Sequence, residues 1–374
     1  MVNVSLKPYF EIESLAFCED ASTALANDFQ FGMALPCRIH QDRLMADADS
    51  FAKLMALGWT KEQSRSIPRT ELSGHLFLPV GQVLAEQFGW TVRERSYRGK
   101  RMIKASKLPD FPMDPIGLYY LFEQTCGIVK KAFYLEEART LIAYRLYVPV
   151  SCPTSSPDSG PRKLAVILHG LGGGNVFDRA DNKLAHMGQR YNYLILAPLA
   201  YTNGMHGSAY PMARDFTDME TADPSNPANL TEEEQRIYRL CELADMQALE
   251  EVRKQYGVDG GNIFLGGNSM GGDGTFYLAS RYPDVFRAIA PCAGGPDLRF
   301  FPAEQLRELP VRLLCGTEDS GFHLLLSMYR ELKDRGVPAE FAAVGGETHG
   351  TAWLHDLEGM FDFFNRMSAE SSER

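Results

Sequence analysis

From residue 163 to residue 367 the chain alternates short apolar runs with stretches of helical periodicity, and this alternation restricts its fold more than any other feature. Leu164–Leu168, Tyr193–Ala197, Ile263–Gly266, Ala288–Cys292, Arg312–Cys315 and Glu340–Val344 read as strands. Between and after them, Asp181–Tyr191, Glu232–Tyr256, Gly272–Tyr282, Phe322–Gly336 and Leu354–Met367 read as helices. In the longest of these, Ile237, Leu240, Leu243, Ala244, Ala248 and Val252 recur at helical spacing. Strands and helices in strict alternation predict an α/β fold with a mostly parallel sheet covered by helices on both faces. In such sheets the functional loops lie at the carboxyl ends of the strands. One more strand-like run, Thr140–Val150, precedes the series, and a polar turn at 154–161 joins it to the next.

Residues 1–128 differ in character and are expected to form a small α+β accessory domain, with 129–374 as the α/β domain. The first part holds a faint repeat. Leu44-Met45 to Gly58-Trp59-Thr60 echoes Leu76-Phe77 to Gly89-Trp90-Thr91. Each copy reads as a strand, a short helix and a glycine suited to the position just past a helix end, where φ is positive. Thr91–Ile103 then reads as strand, turn, strand, turning at Arg98-Gly99. Trp59 and Trp90 are expected as core anchors. The second copy, from Phe77-Leu78-Pro79-Val80 to Phe88-Gly89-Trp90, resembles the small repeats of copper amine oxidase N-terminal-like domains. That resemblance implies a binding or packing module without copper chemistry. Polymer binding, covering a site and dimerisation are all open to it, so a homo-oligomer is not excluded.

The formal net charge of -10 repels phosphate backbones and anionic lipid heads, which argues against nucleic-acid and membrane-surface partners. No run is long and apolar enough for a transmembrane helix. Met1–Lys7 lacks the basic-then-apolar pattern of a signal peptide, so a cytoplasmic location is expected, although a leader removed beforehand would leave the same appearance. The cysteines are odd in number (7) and contain no C-x-x-C, so neither a zinc nor a redox motif is present. They read mostly as small buried hydrophobes of a reducing compartment.

Chemistry concentrates at three strand ends. After Ile263–Gly266 comes Gly267-Asn268-Ser269-Met270-Gly271-Gly272, a G-x-S-x-G set between a buried strand and an amphipathic helix. Such a turn holds its serine in a strained conformation with the hydroxyl proud of the sheet, and glycines on either side remove side chains that would collide. A phosphate-binding G-x-x-x-x-G-K-[ST] loop is absent. After Arg312–Cys315 comes Gly316-Thr317-Glu318-Asp319-Ser320-Gly321, where Asp319 and Glu318 compete as an acid. A helix-capping role for Asp319 also fits, since a helix follows. After Glu340–Val344 comes Gly345-Gly346-Glu347-Thr348-His349-Gly350, and His349 is the one histidine of 8 in a loop beyond the last strand. His323 and His355 read as surface or capping groups. A serine alone is a feeble nucleophile, so an imidazole must take its proton and return it to the leaving group.

Asn262-Ile263-Phe264-Leu265-Gly266-Gly267-Asn268-Ser269-Met270-Gly271-Gly272, followed by Arg281-Tyr282-Pro283 and Phe286, resembles the esterase and "predicted peptidase" branch of the α/β-hydrolases. That branch includes feruloyl and other cinnamoyl esterases and polyhydroxybutyrate depolymerase-like enzymes. Gly316–Asp319 and His349-Gly350-Thr351-Ala352-Trp353 match its acid loop and its histidine end, and Ser320-Gly321 departs from the apolar residues and proline that often follow the acid. The resemblance implies a Ser269–His349–Asp319 triad, no metal, no organic cofactor and a small-molecule ester substrate. It also implies an oxyanion hole from the backbone N–H groups of Leu171 and Met270, Leu171 lying in the His169-Gly170-Leu171-Gly172-Gly173-Gly174 loop after Leu164–Leu168. His169 precedes the serine and is expected to stabilise that loop.

The stretch 201–234 is the least family-like part and is expected as a cap-like insertion. Tyr201, His206, Tyr210, Met212 and Asp215, with Trp353 from the histidine loop, are candidate substrate contacts, suited to a planar phenolic acyl group. A surface excursion covering the sheet edge is the competing reading. For the whole chain the leading reading is a serine carboxylic-ester hydrolase on feruloyl, cinnamoyl or other phenolic esters. The alternatives are a short-chain acyl or acetyl esterase, a serine peptidase on the same fold, and a non-catalytic binding protein.

Overall fold

A computed structural model describes residues 8, 10–55, 66–151, 162–172, 174, 176–180, 182–208, 210 and 229–369. The chain divides into two compact units. One comprises Phe10–Thr125 and Val129–Ala143; the other comprises Cys126–Ile128 and the chain from Tyr144 onward.

In the first unit, β1 (Ser14–Cys18), β2 (Thr23–Ala26) and β3 (Phe29–Gly32) form an antiparallel meander. A separate sheet holds β4 (Arg38–His40), β5 (Arg43–Asp47), β6 (Thr70–Leu72) and β7 (His75–Pro79) in the order β4-β5-β7-β6. The repeat expected from sequence is visible here. Strand β5 feeds the helix Ala48–Leu54, β7 feeds the helix Val80–Phe88, and the two strands pair antiparallel with Ala46 opposite Leu78. Gly89 ends the second helix at φ +66°, in the left-handed region that glycine enters without strain. Gly58 and Trp59, at the corresponding end of the first copy, lie outside the described residues. Trp90 joins the core with Phe17, Phe51, Leu78 and Val83. The hairpin of β8 (Thr91–Tyr97) and β9 (Lys100–Ser106) turns through Arg98 and Gly99, both at positive φ, as a two-residue hairpin loop requires. Strand β10 (Gly127–Leu135) runs parallel to β3, with Lys131 opposite Gln30.

The second unit carries β11 (Thr140–Val148) from Tyr144 onward, β12 (Arg162–Leu168), β13 (Tyr193–Pro198), β14 (Val258–Asn268), β15 (Ala288–Cys292), β16 (Val311–Gly316) and β17 (Ala339–Val344). Their order is β17-β16-β15-β14-β12-β13-β11. All neighbours run parallel except β11 and β13. Successive residues of these strands point to opposite faces, and in β12, β13, β15, β16 and the Asn262–Gly266 part of β14 both sets are largely buried, whereas edge strand β17 is not. Ala165, Ile167, Ile195, Phe264 and Ala290 join Val176, Phe177, Leu184, Phe361 and Phe364 in one core. The alternate residues Leu164, Val166, Leu196, Ile263 and Leu265 are at most 3% exposed. The helices Glu232–Tyr256 and Met270–Arg281 are tied together by Glu242, which accepts from the hydroxyls of Tyr277 (2.6 Å) and Tyr282 (2.7 Å). The long helix begins in a capping box, with Thr231 and Glu234 satisfying each other's backbone N–H, and ends at Gly257 with φ +61°.

Each strand expected in this unit is present, with three differences of detail. Strand β14 begins earlier than expected, because its register against β12 slips between Arg162 and Leu164 and the Asp259-Gly260-Gly261 segment imitates a turn. The last helix is broken into Ala352–His355 and Leu357–Ala369, with Asp356 at the break bonded to Arg312 of β16. A short helix at Val176–Arg179 had no sequence signal. The parallel sheet, its helices on both faces and a serine-bearing strand-to-helix turn at the end of central strand β14 make this an α/β-hydrolase fold. Cys18, Cys37, Cys241, Cys292 and Cys315 are buried free thiols, and burial raises Cys315 to about 12. No helix among the described residues is long and apolar enough to cross a membrane.

Candidate active site

Ser269 sits at φ 59°, ψ -120°, between β14 and the helix Met270–Arg281. A non-glycine residue in that region is strained, so the surroundings must hold it there. They do so through both of its backbone groups. Its N–H donates to Cys292 O (2.8 Å), and its carbonyl accepts from the N–H groups of Gly272 (2.8 Å) and Asp273 (3.1 Å). Side chains are excluded around the turn: a methyl group on Gly267 would run into the Gly271 carbonyl, and one on Gly271 into the carbonyls of Leu168 and His169. The sequence pointed to both glycines. It did not point to Gly294, where a methyl group would strike the Ser269 carbonyl.

The acid and histidine loops are fastened to each other. Thr317 N–H donates to Val344 O (3.0 Å), Glu318 N–H to Glu347 O (2.9 Å), and Gly346 N–H to Thr317 Oγ1 (2.9 Å). Gly316 has no room for a side chain, since a methyl group would meet the Glu347 carbonyl. This close pairing delivers His349 to both of its partners. Its Nδ1 lies 2.9 Å from Asp319 Oδ2, and its Nε2 lies 2.8 Å from Ser269 Oγ. A carboxylate only accepts, so Nδ1 carries the proton and Nε2 is left to accept from the serine hydroxyl. The Asp319 side chain is 3% exposed, and its Oδ1 accepts from Gly321 N–H at 2.8 Å. Glu318 is exposed, and the carboxylate bonded to the imidazole is that of Asp319. Burial therefore separates the two acids that sequence left in competition. The loop's capping-like bond to Gly321 and its bond to His349 use different oxygens of Asp319, so the two readings of this residue coexist.

His169 is buried, with Nδ1 beside Gly170 O at 2.9 Å, and burial holds its pKa down to about 3. It is neutral in the folded protein. The loop it opens runs against the nucleophile: a methyl group on Gly170 would stand 3.3 Å from Asn268 O and 3.6 Å from Ser269 Cβ. Leu171 follows, 42% exposed, and Met270 opens the helix, where a first-turn N–H has no partner within the helix. Met270 directly follows Ser269, and Leu171 directly follows Gly170, which faces the turn. Gly173 lies outside the described residues.

The candidate substrate residues are scattered. Trp353 is half-buried and lines a cleft together with Gly170, Arg179, Asn268 and Cys292. Tyr201 is only 7% exposed, and burial raises its pKa. Tyr210 packs edge-on against Phe301 (5.4 Å) and Tyr277 (6.0 Å). His206 departs from the expectation of a substrate contact, because its side chain is 0% exposed and both ring nitrogens face protein atoms. Met212 and Asp215 lie outside the described residues, as does most of the expected cap. His355 is exposed and bonds Glu347 through Nδ1 (2.9 Å), and His323 is exposed, so both stand apart from the serine as expected.

Sheet and elbow together define the fold as that of the α/β-hydrolases. No family model matches the chain. It is 29% identical over 156 residues to a poly(3-hydroxybutyrate) depolymerase of Ralstonia pickettii, a match covering 40% of this chain and 28% of that protein. It is 33% identical over 73 residues to the bifunctional acetylxylan esterase/xylanase XynS20E of Neocallimastix patriciarum, covering 20% of this chain and 11% of that one. The chain therefore spans less than a third of either relative's length. Among solved structures, a ferulic acid esterase aligns over 64% of this chain and 98% of its own, at 16% identity and a TM-score of 0.47.

Proposed function

We propose that the chain is a serine carboxylic-ester hydrolase working through Ser269, His349 and Asp319. The observation that carries this reading is the continuous hydrogen-bonded path from a strained, half-buried hydroxyl through one imidazole to a buried carboxylate. Three residues from separate loops meet there, an arrangement recognised by geometry and not by sequence position. One of the two relatives is named as an acetylxylan esterase/xylanase and the other as a poly(3-hydroxybutyrate) depolymerase, and both names agree with this reading.

In the proposed reaction, Ser269 Oγ attacks the ester carbonyl carbon while its proton passes to His349 Nε2. The carbonyl oxygen becomes an oxyanion, which accepts hydrogen bonds from the backbone N–H groups of Met270 and Leu171. The tetrahedral intermediate collapses, the C–O bond to the alcohol breaks, and the imidazolium returns the proton to the departing oxygen. Water then attacks the acyl-enzyme by the same route, regenerating the serine and releasing the acid. Asp319 keeps the imidazole in the productive tautomer and offsets its transient charge. Each oxyanion donor contributes about 3 kcal/mol to lowering the barrier.

The acyl group is proposed to be planar and aromatic, as in hydroxycinnamate and other phenolic esters. Trp353 lines the same cleft as Asn268 and Gly170, the residues that flank the elbow, and its indole offers a flat apolar wall there. Hydrolysis rates on methyl ferulate, methyl gallate, p-nitrophenyl acetate and p-nitrophenyl butyrate test this. Turnover of the methyl phenolic esters that disappears in Trp353→Ala is the expected outcome. Activity confined to the two p-nitrophenyl esters would replace the phenolic reading with a short-chain acyl esterase.

A further inference from the structure

A second histidine–carboxyl pair lies under the site, in a place sequence did not reveal. His206 follows β13, and Asp245 projects from the helix Glu232–Tyr256. Their side chains are 0% and 1% exposed, with His206 Nδ1 2.7 Å from Asp245 Oδ2. The other nitrogen, Nε2, lies 3.1 Å from the carbonyl oxygen of His169. A carbonyl cannot donate, so Nε2 carries a proton. The bond between Nδ1 and Asp245 then holds one further proton, on the ring or on the carboxyl. Burial raises the pKa of Asp245 while the imidazole opposes it. Asp245 Oδ1 has no protein partner among the described residues, so the one bond this buried carboxyl makes goes to His206. A carboxyl taken out of water for a single contact is costly, and the position needs a reason.

The carbonyl that His206 holds is well placed to supply that reason. A methyl group on Gly271 would come within 2.8 Å of His169 O, so this carbonyl touches the nucleophile elbow directly. His206 itself presses on the helix that carries the elbow: a methyl group on Gly274 would stand 2.6 Å from its Cβ. Its ring also packs edge-on against that of His169, with centroids 4.5 Å apart. One side chain thereby links the loop after β12 to the turn after β14, the two segments that carry Leu171 and Met270.

Resting on the triad reading, we propose that His206, oriented by Asp245, is a positioning residue that fixes the His169 carbonyl and so sets the two oxyanion amides at their working separation. It touches no reacting atom. Its effect belongs to the transition state, because the ester carbonyl in the ground state asks little of those amides.

Steady-state kinetics on p-nitrophenyl acetate and affinity for an aryl trifluoromethyl ketone, which forms an oxyanion on the serine, test this together. His206→Leu should lower kcat about ten- to a hundred-fold and weaken the ketone in parallel, with KM within about two-fold. His206→Gln, which can still donate to the carbonyl, should recover most of the loss. Asp245→Asn, whose amide can donate to Nδ1 and leave Nε2–H in place, should lose less than Asp245→Ala. If His206→Leu does not fold, the Gln, Asn and Ala variants still decide the matter. The inference is overturned if folded variants keep wild-type kcat, if KM rises alone, or if His206→Gln falls as far as His206→Leu. Wild-type protein whose Ser269 fails to react with the ketone would overturn the triad reading, and this inference with it; a reactive wild type with unaffected variants overturns the inference alone.

Discussion

Two histidine–carboxyl pairs stand in the same α/β unit with nearly the same geometry, at 2.9 Å for His349–Asp319 and 2.7 Å for His206–Asp245. They differ in what the far nitrogen meets and in how much water reaches the ring. The His349 side chain is 43% exposed and its Nε2 faces a hydroxyl that can give up a proton. The His206 side chain is 0% exposed and its Nε2 faces a backbone carbonyl, which has no proton to give. The pairing alone therefore does not mark a catalytic base. The third partner does, together with an open route for substrate.

Removing each imidazole is the sharpest way to break this comparison. His349→Ala should lower kcat by about a million-fold, as loss of the base does in other triads. The ten- to hundred-fold loss expected for His206→Leu is far smaller, and equal losses would erase the distinction between base and brace. At the acid, Asp319→Asn should lower kcat about 10⁴-fold by presenting the wrong tautomer, while Glu318→Gln stays within about two-fold. Steady-state assays on p-nitrophenyl acetate measure all of these.

The smallest effect concerns stability and pH. His169 has a pKa near 3 in the folded protein against an ordinary 6.5, because burial disfavours its charged form. Above pH 6.5 both folded and unfolded chains leave it neutral, and its contribution is fully present. As pH falls from 6.5 towards 3 only the unfolded chain takes up the proton, so stability declines across that window. Urea unfolding at pH 7 and pH 5 should show a lower midpoint at pH 5, with part of the difference removed in His169→Asn.

Much of this was legible in the sequence, for identifiable reasons. Parallel strands buried on both faces must be continuous apolar runs, so β12 to β16 announce themselves. The elbow is a local device, and Gly267, Ser269 and Gly271 encode it within five positions. Sequence favoured Asp319 but left Glu318 in competition, because burial depends on loops that meet only in three dimensions. Gly294 escaped for the same kind of reason: the carbonyl it must clear belongs to Ser269, on another strand's turn. His206 and Asp245 are separated by 39 positions, and sequence read the first as a substrate contact because polar groups in an insertion resemble a binding site. Only its burial and its bond to the His169 carbonyl reverse that reading.

The central claim is that Ser269 is a nucleophile activated by His349, and covalent labelling addresses it without knowledge of the substrate. Folded protein treated with a fluorophosphonate and mapped by peptide mass spectrometry should carry one adduct, on Ser269, forming many-fold more slowly in His349→Ala. Folded wild-type protein that gains no adduct, or gains it on another residue, would contradict the account.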